Sequence, residues 1–163
     1  MDFVCERLAD GFDVDAFDSS APALDEWLKA SARDSDGRNL TRTWVWHRGD
    51  RRVLAYYAVA PYFIERESLT TKQGRGLPDR IPCFLLARLA LDRDLHGQGL
   101  GSQLLASALL RIAEGGTSEL GGRFVVVDAL DEAAAAFYRH HGFVDIPGSS
   151  GRLLMPTKAI PLR

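Results

Sequence analysis

The chain is short of several things, and each shortage excludes something. It has two cysteines among 163 residues. These are Cys5 and Cys83, and they form no CxxC pair. That speaks against a disulfide framework and suits a reduced, cytoplasmic setting. Two of its four histidines, His140 and His141, are adjacent. Neighbours on a helix diverge by about 100°, so one ion cannot easily take both, and no metal is expected. No apolar run approaches the length of a membrane span. The opening residues, Met1-Asp2-Phe3-Val4-Cys5-Glu6, lack a basic segment followed by an apolar stretch, so no secretory leader is expected. No charge sign dominates: 20 Lys+Arg stand against 22 Asp+Glu, a net −2. A protein that coats nucleic acid is usually basic, so any such role must rest on a local patch.

What is present is globular. Apolar residues make up 46% and charged residues 26%, which excludes disorder and coiled-coil rods as the main description. A chain of this length buries roughly 70% of its unfolded surface and needs no staple. No repeat, linker or low-complexity tract divides residues 1–163, so one α/β domain is expected. Val4–Leu8 reads as a short strand. Pro22, tolerated in a first helical turn, opens a helix that frays near Asp36-Gly37. Thr41–His47 and Val53–Ala60 read as an antiparallel hairpin across the Arg48-Gly49-Asp50 turn. Gly74–Pro82 is a loop. Phe84–Leu91, apolar except for Arg88, suits a central strand buried on both faces. A helix with the stripe Leu104, Leu105, Ala108, Leu109 and Ile112 follows, ended by Gly115-Gly116. Phe124–Ala129 is a further buried strand. Asp131 caps an alanine-rich helix that Gly142 stops. Phe143–Ile146 and Leu153–Pro156 close the sheet.

Between the central strand and the striped helix lies Leu95-His96-Gly97-Gln98-Gly99-Leu100-Gly101. A strand, a glycine-rich turn and a helix start together make a phosphate-binding arrangement. The first helical N–H groups are unpaired, and glycine lets phosphates approach the backbone. The spacing is not that of a P-loop. The dinucleotide fingerprint fails at Ser102. A tight turn without ligand is the bland alternative. The loop instead fits Gln/Arg-x-x-Gly-x-Gly/Ala, with His96 in the first position. Downstream, Ala134–Phe143 matches A-x-x-F-Y-x-x-x-G-F almost completely.

These two motifs resemble those of the GCN5-related N-acetyltransferase (GNAT) superfamily. The resemblance implies a single α/β domain: a mixed, mostly antiparallel sheet with a central βαβ unit and helices on both faces. It implies acetyl-CoA as cosubstrate and no metal. His96, Gly97, Gln98, Gly99, Leu100, Gly101 and Ser102 would hold the pyrophosphate. Exposed backbone at Leu89, Ala90 and Leu91 would pair with the pantetheine arm, where the next strand splays away. Phe137 would pack near the cofactor. Tyr138 would be the general acid that protonates the departing thiolate; otherwise it is a helix aromatic with a satisfied hydroxyl.

The N-terminal half narrows the resemblance. Phe17-Asp18-Ser19-Ser20-Ala21-Pro22-Ala23-Leu24-Asp25-Glu26-Trp27-Leu28 is similar to F-x-C-G-x-x-x-L-D-x-W-L of the acetyltransferase toxins of type II toxin–antitoxin modules. Ser19-Ser20 replaces Cys-Gly. Such toxins acetylate the α-amine of the amino acid on charged tRNA and block translation. The resemblance implies a ribbon-helix-helix antitoxin and a homodimer. An α-amine has a pKa of about 7.7–8.0, so it needs no strong dedicated base. Residues 29–52 hold Lys29, Arg33, Arg38, Arg42, Arg48, Arg51 and Arg52 against Asp34, Asp36 and Asp50; Arg66, Lys72, Arg75 and Arg80 follow. This is either a phosphate grip or a solvated surface. Arg38, Arg42, Arg75 and Arg88 are the candidate substrate contacts, Arg88 being equally readable as an inward structural partner. A small amine such as a polyamine, amino acid or antibiotic is the second acceptor class, with Glu65, Glu67 and Asp79 as candidates for its cleft. A non-catalytic acetyl-CoA-binding domain is the third reading.

Overall fold

The computed structural model describes residues 2–161. Among them are seven strands: β1 (Val4–Arg7), β2 (Arg42–His47), β3 (Ala55–Glu65), β4 (Arg80–Leu91), β5 (Phe124–Asp128), β6 (Val144–Asp145) and β7 (Arg152–Pro156). They form one mixed sheet in the order β1-β2-β3-β4-β5-β7-β6. The β1/β2, β2/β3, β5/β7 and β6/β7 pairs are antiparallel, and β4/β5 is parallel. The helices are α1 (Pro22–Ala30), α2 (Ala32–Gly37), α3 (Thr71–Gly74), α4 (Leu100–Arg111), α5 (Ser118–Leu120) and α6 (Glu132–His140). The hairpin is β2/β3, and the crossover from β4 to the parallel β5 runs through α4, the expected βαβ unit.

Two compact units emerge. The first holds residues up to Ala60 with Ala87–Ala108. Its core gathers Phe12, Phe17, Leu28, Val45, Val53, Tyr56 and Ala90. The second holds Pro61–Leu86 with the residues from Leu109 on. Its core gathers Ile64, Ile81, Cys83, Phe124, Val126, Ile146 and Leu154. Alternate strand positions, such as Ile81 and Cys83 on β4 and Phe124 and Val126 on β5, feed the second core as the period-two pattern requires, while Phe12, Phe17 and Leu28 reach the first from outside the sheet.

Several elements differ from the sequence reading, among them the expected Gly74–Pro82 loop, whose last residues already belong to β4. The second strand starts at Ala55 and runs through Pro61 to Glu65; Pro61 is exposed, so its missing N–H costs no buried partner. The first helix breaks at Ser31, whose φ of −126° leaves the helical region, and resumes as α2. Gly115-Gly116 do not end the helix after the stripe. It continues as a π-type turn over Ile112–Thr117 and then α5, stopping at Gly121 with φ +80°. Gly116 serves packing instead, since a Cβ there would meet the Phe84 ring at 2.9 Å. Finally, β4 is not buried on both faces. Ile81, Cys83, Leu86 and Ala90 are buried, whereas Phe84, Leu85, Ala87, Arg88, Leu89 and Leu91 are half-exposed.

Candidate active site

The donor loop begins where β4 ends. Asp92 caps a single 3-10 turn over Arg93–Leu95, and His96–Gly99 lead into α4. Gly97 and Gly99 have φ of +79° and +74°. Nothing lies within 4 Å of a Cβ built at either, so glycine is needed there for backbone conformation rather than for space. The stretch His96–Gly99 is exposed. The first N–H groups of α4 have no intrahelical acceptor, so loop and helix together offer an anion cradle. The His96 ring turns back, with Nε2 2.8 Å from the Leu91 carbonyl oxygen. A carbonyl only accepts, so Nε2 carries the proton, and Nδ1 is the nitrogen left for a ligand. Leu89, Ala90 and Leu91 lie at the end of β4. The β4/β5 register joins Cys83, Phe84 and Leu85 to Phe124, Val125 and Val126.

Tyr138 lies on α6, in the second unit. Asp131 caps that helix by accepting the Ala134 N–H at 2.8 Å, and Gly142, at φ +96°, follows its end. The Tyr138 ring is buried edge-on to Phe137 and Phe143, each 5.4 Å away. Among the described residues its hydroxyl takes no hydrogen bond, yet it is not one of the sealed, unpartnered polar atoms. A buried phenol with an unpaired, accessible oxygen is suited to meet a ligand. Burial pushes its pKa well above the ordinary phenol value, so it stands protonated at neutral pH and is suited to donate a proton rather than to accept one. The next residue, Arg139, forks onto Asp145 at 2.8 and 2.9 Å and reaches Glu132 at 2.6 Å, tying both ends of α6 to β6. His141 forms the helix C-cap, and burial lowers its pKa. No group of three His, Cys, Asp or Glu residues placed to hold a metal occurs among the described residues.

The family model for the acetyltransferase (GNAT) domain matches residues 39–145. The chain belongs to the GNAT acetyltransferase family. A tRNA-acetylating toxin of Mycobacterium tuberculosis (strain ATCC 25618 / H37Rv) is 36% identical over 152 residues, 93% of this chain and 90% of that protein. A crystal structure of a KacT mutant superposes with a TM-score of 0.90 at 29% identity, covering 98% of each chain. AtaT complexed with acetyl-methionyl-tRNAfMet gives 0.89 at 31% identity, covering 98% of this chain and 97% of AtaT. An AtaT mutant bound to the C-terminus of the antitoxin AtaR and to acetyl-CoA gives 0.84 at 30% identity, covering 98% and 96%. The chain is thus an N-acetyltransferase with acetyl-CoA as cosubstrate, and the open cradle of its glycine loop fits that group.

The acetyltransferase spends many of its basic residues on itself. Arg42 donates to the Asp36 carbonyl at 2.9 Å and to Asn39, holding the α2–β2 connection. Arg33 donates to the Phe12 carbonyl at 2.7 Å. Arg38 faces Asp34 at 3.6 Å with most of its side chain in solvent. Arg75 is exposed. Arg88 lies 4.9 Å over the Trp27 ring, and its own Nη1 donates to the Ala87 carbonyl at 2.9 Å. Trp27 in turn stacks on Tyr56, whose hydroxyl donates to the Leu24 carbonyl at 2.6 Å. Arg88 thus makes a cation–π contact with the Trp27 of the toxin-like motif. Two of the three acidic candidates are neutralised: Asp79 by Arg66 at 2.6 Å and Glu65 by Arg80 at 3.4 Å.

Ser19 and Ser20 show what the departure from Cys-Gly does. Ser19 is buried, and its hydroxyl and backbone N–H both donate to Asp25 Oδ1, at 2.6 and 2.9 Å. Ser20 adopts φ +71°, the left-handed conformation that favours glycine. Sequence reasoning singled out neither Asp18 nor Asp92 as site residues, because each looks like an ordinary loop carboxylate until the fold brings them together. Their hydrogen-bonding signature is a contact between Asp18 and Asp92 across 74 residues of chain.

Proposed function

We propose that the enzyme acetylates the α-amine of an amino acid carried on charged tRNA and so blocks translation as a toxin. The observation that carries this reading is likeness over nearly the whole chain, 93% in one case and 98% in another, to proteins named for tRNA acetylation or caught with acetylated tRNA. Acetyl-CoA supplies the activated acetyl thioester. In this reading His96–Ser102 bind the pyrophosphate. The backbone of Leu89, Ala90 and Leu91 pairs with the pantetheine arm, supported by a parallel ladder whose register stops at Leu85 while β4 runs on to Leu91. Phe137 flanks the donor. Tyr138 gives its phenolic proton to the departing thiolate sulfur. The acceptor α-amine is partly neutral near pH 7 and needs no dedicated base. Arg38 and Arg75 contact phosphates, Arg42 shapes the turn next to Arg38, and Arg88 fixes Trp27 beside the acceptor.

The whole chain serves as one acetyltransferase domain working in the cytoplasm as a homodimer, with a ribbon-helix-helix antitoxin as its partner. These assignments rest on the resemblance and on the AtaT–AtaR complex. No helix of the described residues is long and apolar enough to cross a membrane. The test is incubation of the purified protein with labelled acetyl-CoA and total charged tRNA, with Tyr138→Phe as control. Label should enter nuclease-sensitive, alkali-labile material and be lost in the variant. Intact acetyl-CoA binding with no such label would reject the tRNA acceptor.

A further inference from the structure

We propose that Asp92 is a positioning residue for the donor loop, holding it in shape through a clamp it forms with Asp18 and Arg93. The inference rests on reading His96–Gly101 as the acetyl-CoA site. Asp92 is 2% exposed, and a buried carboxylate is costly unless hydrogen bonds satisfy it. One of its oxygens accepts the Asp94 N–H at 3.0 Å, closing the turn before the loop. The other accepts the Asp18 N–H at 3.3 Å. Its own N–H donates to the Leu54 carbonyl at 2.8 Å. Arg93 completes the clamp: its N–H donates to the Asp18 carbonyl at 2.8 Å and its guanidinium to Asp18 Oδ2 at 2.9 Å. Asp18 Oδ1 accepts the Ser20 N–H at 2.9 Å.

The restraint passes into the loop at two points. The His96 N–H donates to the Arg93 carbonyl at 3.1 Å, and Gln98 Nε2 donates to the Asp94 carbonyl at 3.3 Å. Beyond them stand Gly97 and Gly99, the residue type with the most conformational freedom to lose. A loop with two glycines and no clamp would pay for its ordering when the ligand arrives; a clamped loop has paid on folding. The carboxylate of Asp92 is spent on backbone N–H groups, so its role is exerted through the loop and not on the reacting atoms.

The test compares two donors on the purified full chain by calorimetry: acetyl-CoA, and S-acetylpantetheine, which lacks the diphosphate and nucleotide. Asp92→Asn keeps the size but surrenders one acceptor. It should weaken acetyl-CoA binding about tenfold, the effect of a lost charge-assisted hydrogen bond, and leave S-acetylpantetheine unchanged. KM for acetyl-CoA should rise in step while kcat stays within about twofold. Asp18→Asn, on a half-exposed residue, should show a smaller loss of the same selective kind, and it carries the test if Asp92→Asn does not fold. Equal weakening of both donors, or unchanged acetyl-CoA binding, overturns the proposal. If the wild type binds the two donors equally, the reading of the glycine loop itself fails and the positioning role falls with it.

Discussion

At the scale of single residues, Tyr138 and Ser20 make opposite kinds of demand on the chain. Tyr138 is buried among Phe137 and Phe143 with a hydroxyl left unpaired among the described residues, an arrangement that contributes nothing to folding through that oxygen. In the proposed mechanism its value is chemical, as the proton donor to the departing thiolate. Replacing Tyr138 with Phe should keep the ring packing and the affinity for acetyl-CoA within about twofold, and lower kcat by about 100-fold, the usual worth of a placed acid. Release of free CoA thiol reads the rate, and calorimetry reads the affinity. Because burial raises the phenol pKa, the acid form persists, and loss of kcat from Tyr138 ionisation should not appear between pH 7 and its ordinary value of 10.0. Among the described residues Ser20 carries a local conformational cost without a side-chain bond in return: at φ +71° only its backbone N–H is engaged, with Asp18. Ser20→Gly should therefore raise stability by about 0.5–1 kcal/mol, read as a shift in the urea midpoint.

At the scale of elements, glycines separate what was legible in the sequence from what was not. Gly97, Gly99 and Gly142 each announced a left-handed turn next to a helix pattern, and each has a positive φ. Gly115-Gly116 looked like the same signal and are not. Their backbone stays in a helical path, and Gly116 is there because the Phe84 ring, from β4 and distant in sequence, approaches it. Local pattern identifies a conformational glycine, because the reason for it is local. It cannot identify a glycine kept for close approach, because the approaching group is fixed only by the fold. The same division explains the clamp: the Asp131 cap was readable three residues from its partner, whereas Asp18 and Asp92 were not. Gly115→Ala, with open space at its Cβ, should be neutral or raise stability by up to about 1 kcal/mol as a helix former. Gly116→Ala must displace the Phe84 ring and should cost about 1–3 kcal/mol. Paired thermal denaturation distinguishes them, and equal effects would show that Phe84 yields without cost.

At the scale of the whole molecule, charge and burial act at different ends of the pH range. The chain is nearly balanced at −2, and its arginines are widely paired with carboxylates on the surface, as in Arg66–Asp79, Arg93–Asp18 and Arg152–Asp128. Such exposed pairs contribute little each and are screened by salt. The larger pH effect comes from three groups that burial keeps neutral. Cys83 is pushed from its ordinary 9.0 up to about 11. Tyr56 and Tyr138 are pushed upward from 10.0. All three hold their protons more tightly in the folded chain than in the unfolded one. Between the unfolded and folded values the native state binds more protons, so stability falls as pH rises. Their contribution is complete below pH 9.0, starts to fall there with Cys83, and falls faster above 10.0 as the two tyrosines join. Urea midpoints measured from pH 7 to 11 should be governed by this decline at the alkaline end. Cys83→Ala lowers the whole curve by opening a small cavity, but its diagnostic effect is on shape: the onset should move from near 9.0 toward 10.0. An onset unmoved in Cys83→Ala would place the first alkaline loss on another group.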